Sequence, residues 1–476
     1  MARTFVPLRA HHGTTRLGDH AVVIGGSIAG LLAARVLADY FAEVTIVERD
    51  SLPDTVAPRK GVPQGRHAHG LLGLGQQVMT RYFPGLFEEL RAQGATPVDL
   101  AYDTGWYQAG CWRARVDSGM VASLQSRPFL ETAVRRRVQA LPNVRFLTGH
   151  TATGLQAGAD GSRITGVQVQ SQAGADATIL PAALAVDASG RGSRAPQWLE
   201  ALGYPPVEET HVKMDVGYTT CFFRRPPGFA ADWKMLILIP QPPHETRMGL
   251  LLPMEGDQWM VSLCGWHRDY APTDRAGFLE YARTLPVPDL YHAIKDAEPV
   301  TPIAAHKIPS NQWRHYERMA RFPEGLAILG DALCSFNPTY GQGMTAAALD
   351  VTVLETCLRR HAARRAPGLD GLADRYRRKV AGAVATPWLL ATVEDFRYPQ
   401  TEGVRPPVTP LLHWYLDRLY AATEHDPRLV TRFLRVMHMH SSPATLFAPP
   451  TAFRVLTARW RYPQPAAQPV AASVEQ

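Results

Sequence analysis

The stretch "HAVVIGGSIAGLLAARVLADYFAEVTIVERD", residues 20–50, restricts this chain to a small set of folds. The apolar run 21–24, with its β-branched residues, reads as a short, fully buried strand. Gly25 and Gly26 allow a tight turn, the small Ser27 lets backbone approach a pyrophosphate, and Gly30 lets the next helix pack closely on the strand. That helix is predicted from about 28 to 39, with Ala29 in a first turn whose unpaired N–H groups suit a phosphate. A second strand, 44–47, ends at Glu48, eighteen positions after Gly30. An acidic residue there is placed for the ribose hydroxyls of an adenosine, and Arg49 follows it. Ser27 breaks the strict Gly-x-Gly-x-x-Gly pattern, and a tight βα turn without a ligand is the plain alternative. Strand, turn, helix, strand and acidic residue together favour an adenine dinucleotide. Glu48 would repel a 2′-phosphate, which disfavours NADP here, while NAD and FAD stay open.

The run 21–37 is apolar enough to raise a membrane span, but it holds two adjacent glycines, and Arg35 and Asp39 crowd its end. The N-terminal twenty residues lack the apolar core of a signal peptide. The five cysteines are scattered without a Cys-x-x-Cys pair, so neither a disulfide frame nor a metal site is expected. A cytoplasmic protein without transmembrane segments is the expectation. Its 476 residues suit two or three domains. The net charge of +7 is modest, and the arginine clusters at 135–137, 359–365 and 375–379 read as solvated helix faces. A nucleic-acid surface is not expected.

A second feature lies far along the chain. In "GLAILGDALCSFNPTYGQGMTAAALD", residues 325–350, an apolar run ends at Gly330-Asp331, a loop with Pro338, Gly341 and Gly343 follows, and a small-residue helix begins. Asp331 alone could cap a turn. The helix start is uncapped, so its first N–H groups are available to a ligand. "SRPFLETAV" from Ser126 also reads as a helix start with proline in the first turn.

Three segments in this order, "GGSIAG" with Glu48-Arg49, "DASGRGSR" at 187–194 and "GDALCSFNPTYGQGM" at 330–344, resemble FAD-dependent monooxygenases built like the aromatic hydroxylases. The resemblance implies non-covalent FAD, with Asp331 at the ribityl chain and Pro338 and the 341–343 loop against the isoalloxazine ring. It also implies backbone N–H groups of Met344 and Thr345 at the pyrimidine carbonyl, and Asp187 near the pyrophosphate. Arg127 would face the phosphates or ribityl chain, with an exposed surface arginine as the alternative. "DASG" has Ala-Ser where many hydroxylases have a glycine, so reduction by NAD(P)H directly or through a partner reductase stays open. "RKGVPQGRHAHGLL" at 59–72 narrows the resemblance to bacterial flavoprotein epoxidases of polyether and polyketide biosynthesis. It implies that Arg66, His67 and His69 lie on a loop over the flavin. The two histidines are the only catalytic candidates, with a structural role the alternative for each.

The expected architecture is α/β: a discontinuous Rossmann-like FAD-binding domain with an inserted mixed β-sheet substrate domain and a C-terminal helical section. The FAD domain would span 19–205 and 323–365, the substrate domain 206–322 and the helical section 366–462. The tails 1–18 and 463–476 are expected to be disordered. Within this plan 151–187 reads as a β-meander, and Trp233, Met235, Met248, Met260 and Trp266 are candidates for a substrate wall or for core. The C-terminal helices should break at Pro387, Pro406-Pro407 and Pro427. The resemblance implies oxygen-atom transfer from O₂ through a flavin C4a-hydroperoxide to an apolar small molecule, most directly epoxidation of a polyketide- or polyene-like alkene. An acyl-carrier protein is a possible partner. Aromatic or aliphatic hydroxylation and a flavin reductase of the geranylgeranyl-reductase type are the alternatives. The Trp-x-Trp-x-x-Ile-Pro signature of flavin halogenases is absent.

Overall fold

A computed structural model describes residues 15–174 and 176–461. The expected tails fall outside it except for 15–18, where Leu17 is buried and its N–H donates to Tyr40 O at 2.7 Å. The glycine-rich opening forms strand Gly18–Ile24, helix Ile28–Leu37 and strand Phe41–Glu48. The second strand starts earlier than 44, since Leu17–Tyr40 and Gly18–Phe41 pairing extends the ladder. The helix stops at Leu37, two residues short of the expectation, and Arg35 pairs with Asp39 at its end.

These strands lie in a five-stranded parallel sheet. Its order is Leu326–Ile328, Leu184–Asp187, Gly18–Ile24, Phe41–Glu48, Val144–Thr148. Val22, Val23, Val44, Ile46, Ala185 and Val186 are completely enclosed, as a sheet covered on both faces requires. The chain leaves the first strand on one side and returns beside it on the other. Ligands bind at the carboxyl ends of strands at such a switch point. Strands His150–Ala157, Ile164–Ser171 and Thr178–Pro181 form the expected antiparallel meander, which stops short of 187 because Leu184–Asp187 joins the parallel sheet.

The second large sheet is mixed and eight-stranded. Its long strands Glu209–Arg224, Arg247–Met254, Gln258–Gly265 and Ala304–Arg314 are antiparallel, and Met235–Leu238 pairs in parallel with Thr104–Gln108. The last pairing and the edge strand Cys334–Ser335 carry the sheet beyond 206–322 on both sides. Helices Leu372–Asp395, Thr409–Ala422, Pro427–Met437 and Pro449–Arg461 follow. Pro387 does not break the first of these; the helix runs through it, leaving one carbonyl without its usual N–H donor. Two arginines expected on solvated faces are buried. Arg135 donates to Pro53 O, and Arg377 to Tyr316 O at 3.0 Å and Glu317 O at 2.8 Å.

Candidate active site

A cavity of about 520 Å³ lies at the carboxyl end of the first strand. The glycine turn forms part of its wall. Gly25 has φ +103°, and a Cβ there would sit 2.6 Å from Ala188 O, so the 187–194 loop lies directly on the turn. A Cβ at Gly30 would fall 1.8 Å from Gly25 O; Gly30 serves the helix–strand approach and does not itself line the cavity. Gly26, Ser27, Ala29, Glu48 and Arg49 do line it.

Glu48 is buried, with Oε2 accepting from Gly26 N at 2.8 Å and Oε1 from Asp50 N at 2.9 Å. Arg59, 3.1 Å from Glu48, also pairs with Glu131 at 2.6 Å. The Ser27 hydroxyl donates to Glu131 Oε2 at 2.7 Å and accepts from Arg127 Nη2 at 2.8 Å. The residue that breaks the glycine pattern therefore joins a buried charge network. Burial works against the Glu131 charge, but Arg127 and Arg59 outweigh it and hold its carboxyl below the ordinary value. Burial pushes the Arg127 guanidinium down against the pull of Glu131. Arg127 is 8 % exposed and lines the cavity, so the surface reading fails. Arg59 and Glu131 were not among the predicted residues; they lie 72 positions apart and only the fold joins them.

Ser189, Gly190, Arg191 and Gly192 also face the cavity, but Asp187 sits behind them. It is completely enclosed, accepting from Ser189 N at 2.9 Å and from the Ser193 hydroxyl, and so shapes the loop. On the far segment the cavity meets Asp331, Pro338, Gly341, Gln342, Gly343 and Met344. Burial pushes the Asp331 carboxyl up, opposed by Arg127, Arg191 and a hydrogen bond from Gln64. A Cβ added at Gly343 would lie 3.8 Å from Asp331 Oδ1, which puts the carboxylate beside the start of helix Gly343–Ala362. That helix has no side-chain N-cap. Gln342 is 1 % exposed and lines the cavity, yet both amide atoms lack a partner among the described residues. Thr345 does not line the cavity; its hydroxyl accepts from Leu72 N at 3.1 Å.

A second cavity of about 260 Å³ adjoins the first, sharing Ala68, His69, Gly70, Pro338 and Gly341 with it. Apolar side chains dominate its wall. Met235, Met248, Leu250 and Leu252 come from the large sheet, and Leu389, Leu390, Leu412 and Leu416 from the C-terminal helices. Of the expected wall residues, Met235 and Met248 take part. Trp233, Met260 and Trp266 do not: Trp233 packs near Phe229, Met260 is core, and Trp266 donates to Asp395 at 3.1 Å.

His69 lines both cavities, whereas His67 and the exposed Arg66 line neither. His67 Nδ1 is 3.0 Å from the Thr220 hydroxyl, and burial, with His306 and Arg66 nearby, drives its ring down to about 4. His69 Nδ1 lies 2.8 Å from His67 O. A carbonyl only accepts, so Nδ1 carries the proton and Nε2 its lone pair. Burial, reinforced by Arg127, drives His69 down to about 3.

The cradle of close backbone, the uncapped helix start and the unpartnered Gln342 amide fit a long, polar, partly anionic cofactor such as FAD. The FAD-binding domain family matches residues 20–386. The chain belongs to this family. It is a flavoprotein oxidoreductase of the FAD-dependent monooxygenase and hydroxylase type, in the mixed α/β fold expected from sequence. The protein Rv3254 of Mycobacterium tuberculosis is 34% identical over 440 residues, covering 89% of this chain and 90% of its own. Kynurenine 3-monooxygenase of Salinispora arenicola is 27% identical over 390 residues, covering 75% and 79%. Among solved structures, the flavin-dependent brominase Bmp2 superposes with a TM-score of 0.63 at 13% identity, covering 94% and 99%. PqsL of Pseudomonas aeruginosa, a probable FAD-dependent monooxygenase, gives 0.59 at 18%, covering 80% and 97%. These two show the fold alone.

In this flavoprotein no described helix is long and apolar enough to cross a membrane. All five cysteines are free, and no described cluster of His, Cys, Asp and Glu could hold a metal.

Proposed function

We propose that this flavoprotein epoxidises an alkene of an apolar, polyketide- or polyene-like secondary metabolite. FAD, when bound and reduced, supplies the O₂ activation and oxygen transfer. In this reading Gly25, Gly26, Ser27, Ala29 and Gly30 form the pyrophosphate turn. Glu48, with Arg49, serves the adenosine end, Arg127 and Asp331 the phosphate–ribityl segment, and Pro338, Gly341, Gly343 and Met344 the ring. Electrons come from NAD(P)H directly or through a partner reductase.

One observation carries the reading: the apolar cavity meets the cofactor cavity at His69, Gly70, Pro338 and Gly341, where among the described residues His69 is the one titratable side chain and burial makes it a weak base. An alkene needs none, because an electrophilic oxygen donor attacks it directly. A phenol must lose its proton, and a base effective at neutral pH typically contributes ~10²–10⁴ in rate. His69 at about 3 is too weak for that role. The similarity to kynurenine 3-monooxygenase keeps aromatic hydroxylation as the second reading. The two separate in rapid mixing of reduced enzyme with labelled O₂ and an alkene, with mass analysis of the product. One labelled oxygen in an epoxide is expected, and His69→Gln should transfer oxygen within about tenfold of wild type. A thousandfold loss in that variant, or a labelled phenol from an aromatic substrate only, would favour hydroxylation.

A further inference from the structure

The apolar cavity contains one oriented amide. Gln108 ends strand Thr104–Gln108, is 8 % exposed and lines the cavity. The Arg113 guanidinium donates to Gln108 Oε1. Arginine offers only donors, which settles the amide's orientation: oxygen toward Arg113, NH₂ away from it. Arg113 is itself buried, its guanidinium carbon 4.0 Å from the ring centroid of Trp106 and 4.0 Å from that of Phe433, both lining residues. Its Nε and Nη1 are enclosed and lack a partner among the described residues. A cation buried this way is costly to keep, and an enclosed guanidinium cannot reach a ligand directly. Its visible consequence is to lock Gln108.

The remaining polar side chains of the wall are engaged or are donors, except His69, whose Nε2 only accepts and so cannot serve a carbonyl oxygen. Glu394 accepts from Arg397 at 2.8 Å and from the Tyr420 hydroxyl at 2.6 Å. The Tyr340 hydroxyl donates to Asp395 at 2.8 Å, and that of Thr339 to Asn337 at 2.8 Å. His438 Nδ1 accepts from Gly73 N at 3.1 Å, so its hydrogen is on Nε2. Burial keeps that ring neutral down to about 3.

We propose that Gln108, held by Arg113, is a specificity-determining residue that donates to a neutral carbonyl-type oxygen of an otherwise hydrocarbon substrate. The cavity then selects uncharged, oxygenated chains over bare hydrocarbons and over carboxylates. This rests on the apolar cavity being the substrate cavity of the proposed reaction. The test titrates FAD-loaded enzyme with 2-acetylnaphthalene, its isostere 2-ethylnaphthalene and 2-naphthoate, following the visible spectrum of bound FAD. Gln108→Leu should weaken the ketone about tenfold, near the upper limit for one neutral hydrogen bond, and leave 2-ethylnaphthalene within about twofold. Gln108→Glu, which still pairs with Arg113 but has no N–H, should weaken the ketone as much, while Arg113→Lys, still a donor to Gln108, should keep most of the preference. Unchanged ketone affinity in Gln108→Leu, equal loss of both neutral probes, or naphthoate binding tighter than the ketone would each overturn the assignment. If none of the probes perturbs the flavin of the wild-type enzyme, the substrate-cavity reading falls and this inference with it.

Discussion

Asp331 lines the cofactor cavity and Asp350 is enclosed beside it against Gly330 N, and the two have opposite expected responses to substitution. Asp350 is 2 % exposed; its Oδ2 accepts from Gly330 N at 2.9 Å, while Oδ1 has no partner among the described residues. Burial, with a smaller push from Asp331, raises its carboxyl well above the ordinary value. A carboxyl whose folded pKa exceeds its unfolded one contributes stability at low pH and loses it as pH rises through the folded pKa. Each pH unit of that window costs about 1.4 kcal/mol. Asp350→Asn keeps the acceptor for Gly330 and removes the charge. Its denaturation midpoint should therefore exceed wild type at pH 8 and approach it toward about pH 4, the unfolded carboxyl's range; a difference independent of pH would refute the assignment. Asp331, facing the cavity, should behave otherwise. If it accepts from the ribityl chain, Asp331→Ala loses a contact worth ~1.5–3 kcal/mol, roughly a 10- to 150-fold drop in FAD affinity. Titration of apoprotein with FAD measures this, and an unchanged affinity would reduce Asp331 to a turn residue.

At the scale of elements, the glycine turn, its helix and the 330–344 loop were readable because their residue types serve local geometry. A glycine at φ +103° and a helix start without a cap leave marks within a few positions of themselves. The wall from the C-terminal helices was not readable. Leu389, Leu390, Leu412 and Leu416 look like ordinary core at helical spacing, and only tertiary packing aims them at a cavity. Asp395, the last residue of Leu372–Asp395, shows what that packing does. Completely enclosed, it accepts from Trp266 Nε1 at 3.1 Å, Asn311 Nδ2 at 2.6 Å, Asn337 Nδ2 at 2.8 Å and the Tyr340 hydroxyl at 2.8 Å. Those donors span residues 266–340, so no local signal marked the hub. Asn337 lines the cofactor cavity and Tyr340 the apolar one, so one carboxylate fixes the loop between them. Asp395→Asn can keep an oxygen for Trp266, Asn337 and Tyr340 but turns its NH₂ group toward Asn311 Nδ2, and should cost ~1–3 kcal/mol, as one buried unmet polar group does. It should also weaken FAD binding. Chemical denaturation and FAD titration of the same preparation check both, and loss of stability with full FAD affinity would confine Asp395 to a packing role.

Across the whole molecule, the cofactor cavity is lined by residues from Ile24 to Ala347, drawn from the parallel sheet, the 61–70 loop, the large mixed sheet and the long helix after Gly343. A ligand touching all of these binds the native state and not the unfolded chain. At free FAD a hundredfold above Kd it should stabilise the fold by about 2.7 kcal/mol. An unfolding entropy of about 2.1 cal/mol/K per residue, over 476 residues, amounts to about 1 kcal/mol/K. The expected gain in the main thermal transition is therefore about 3 °C, with the sheets and the C-terminal helices moving together because Asp395 ties them to the loop at the cavity. Scanning calorimetry of apoprotein and FAD-loaded protein measures it. At the same FAD concentration Asp331→Ala should recover less of the gain, while its apoprotein melts close to wild-type apoprotein. Coincident apo and FAD-loaded transitions would mean that FAD does not fill this cavity. A gain confined to one of two separate transitions would mean that the C-terminal helices fold independently of the cofactor site.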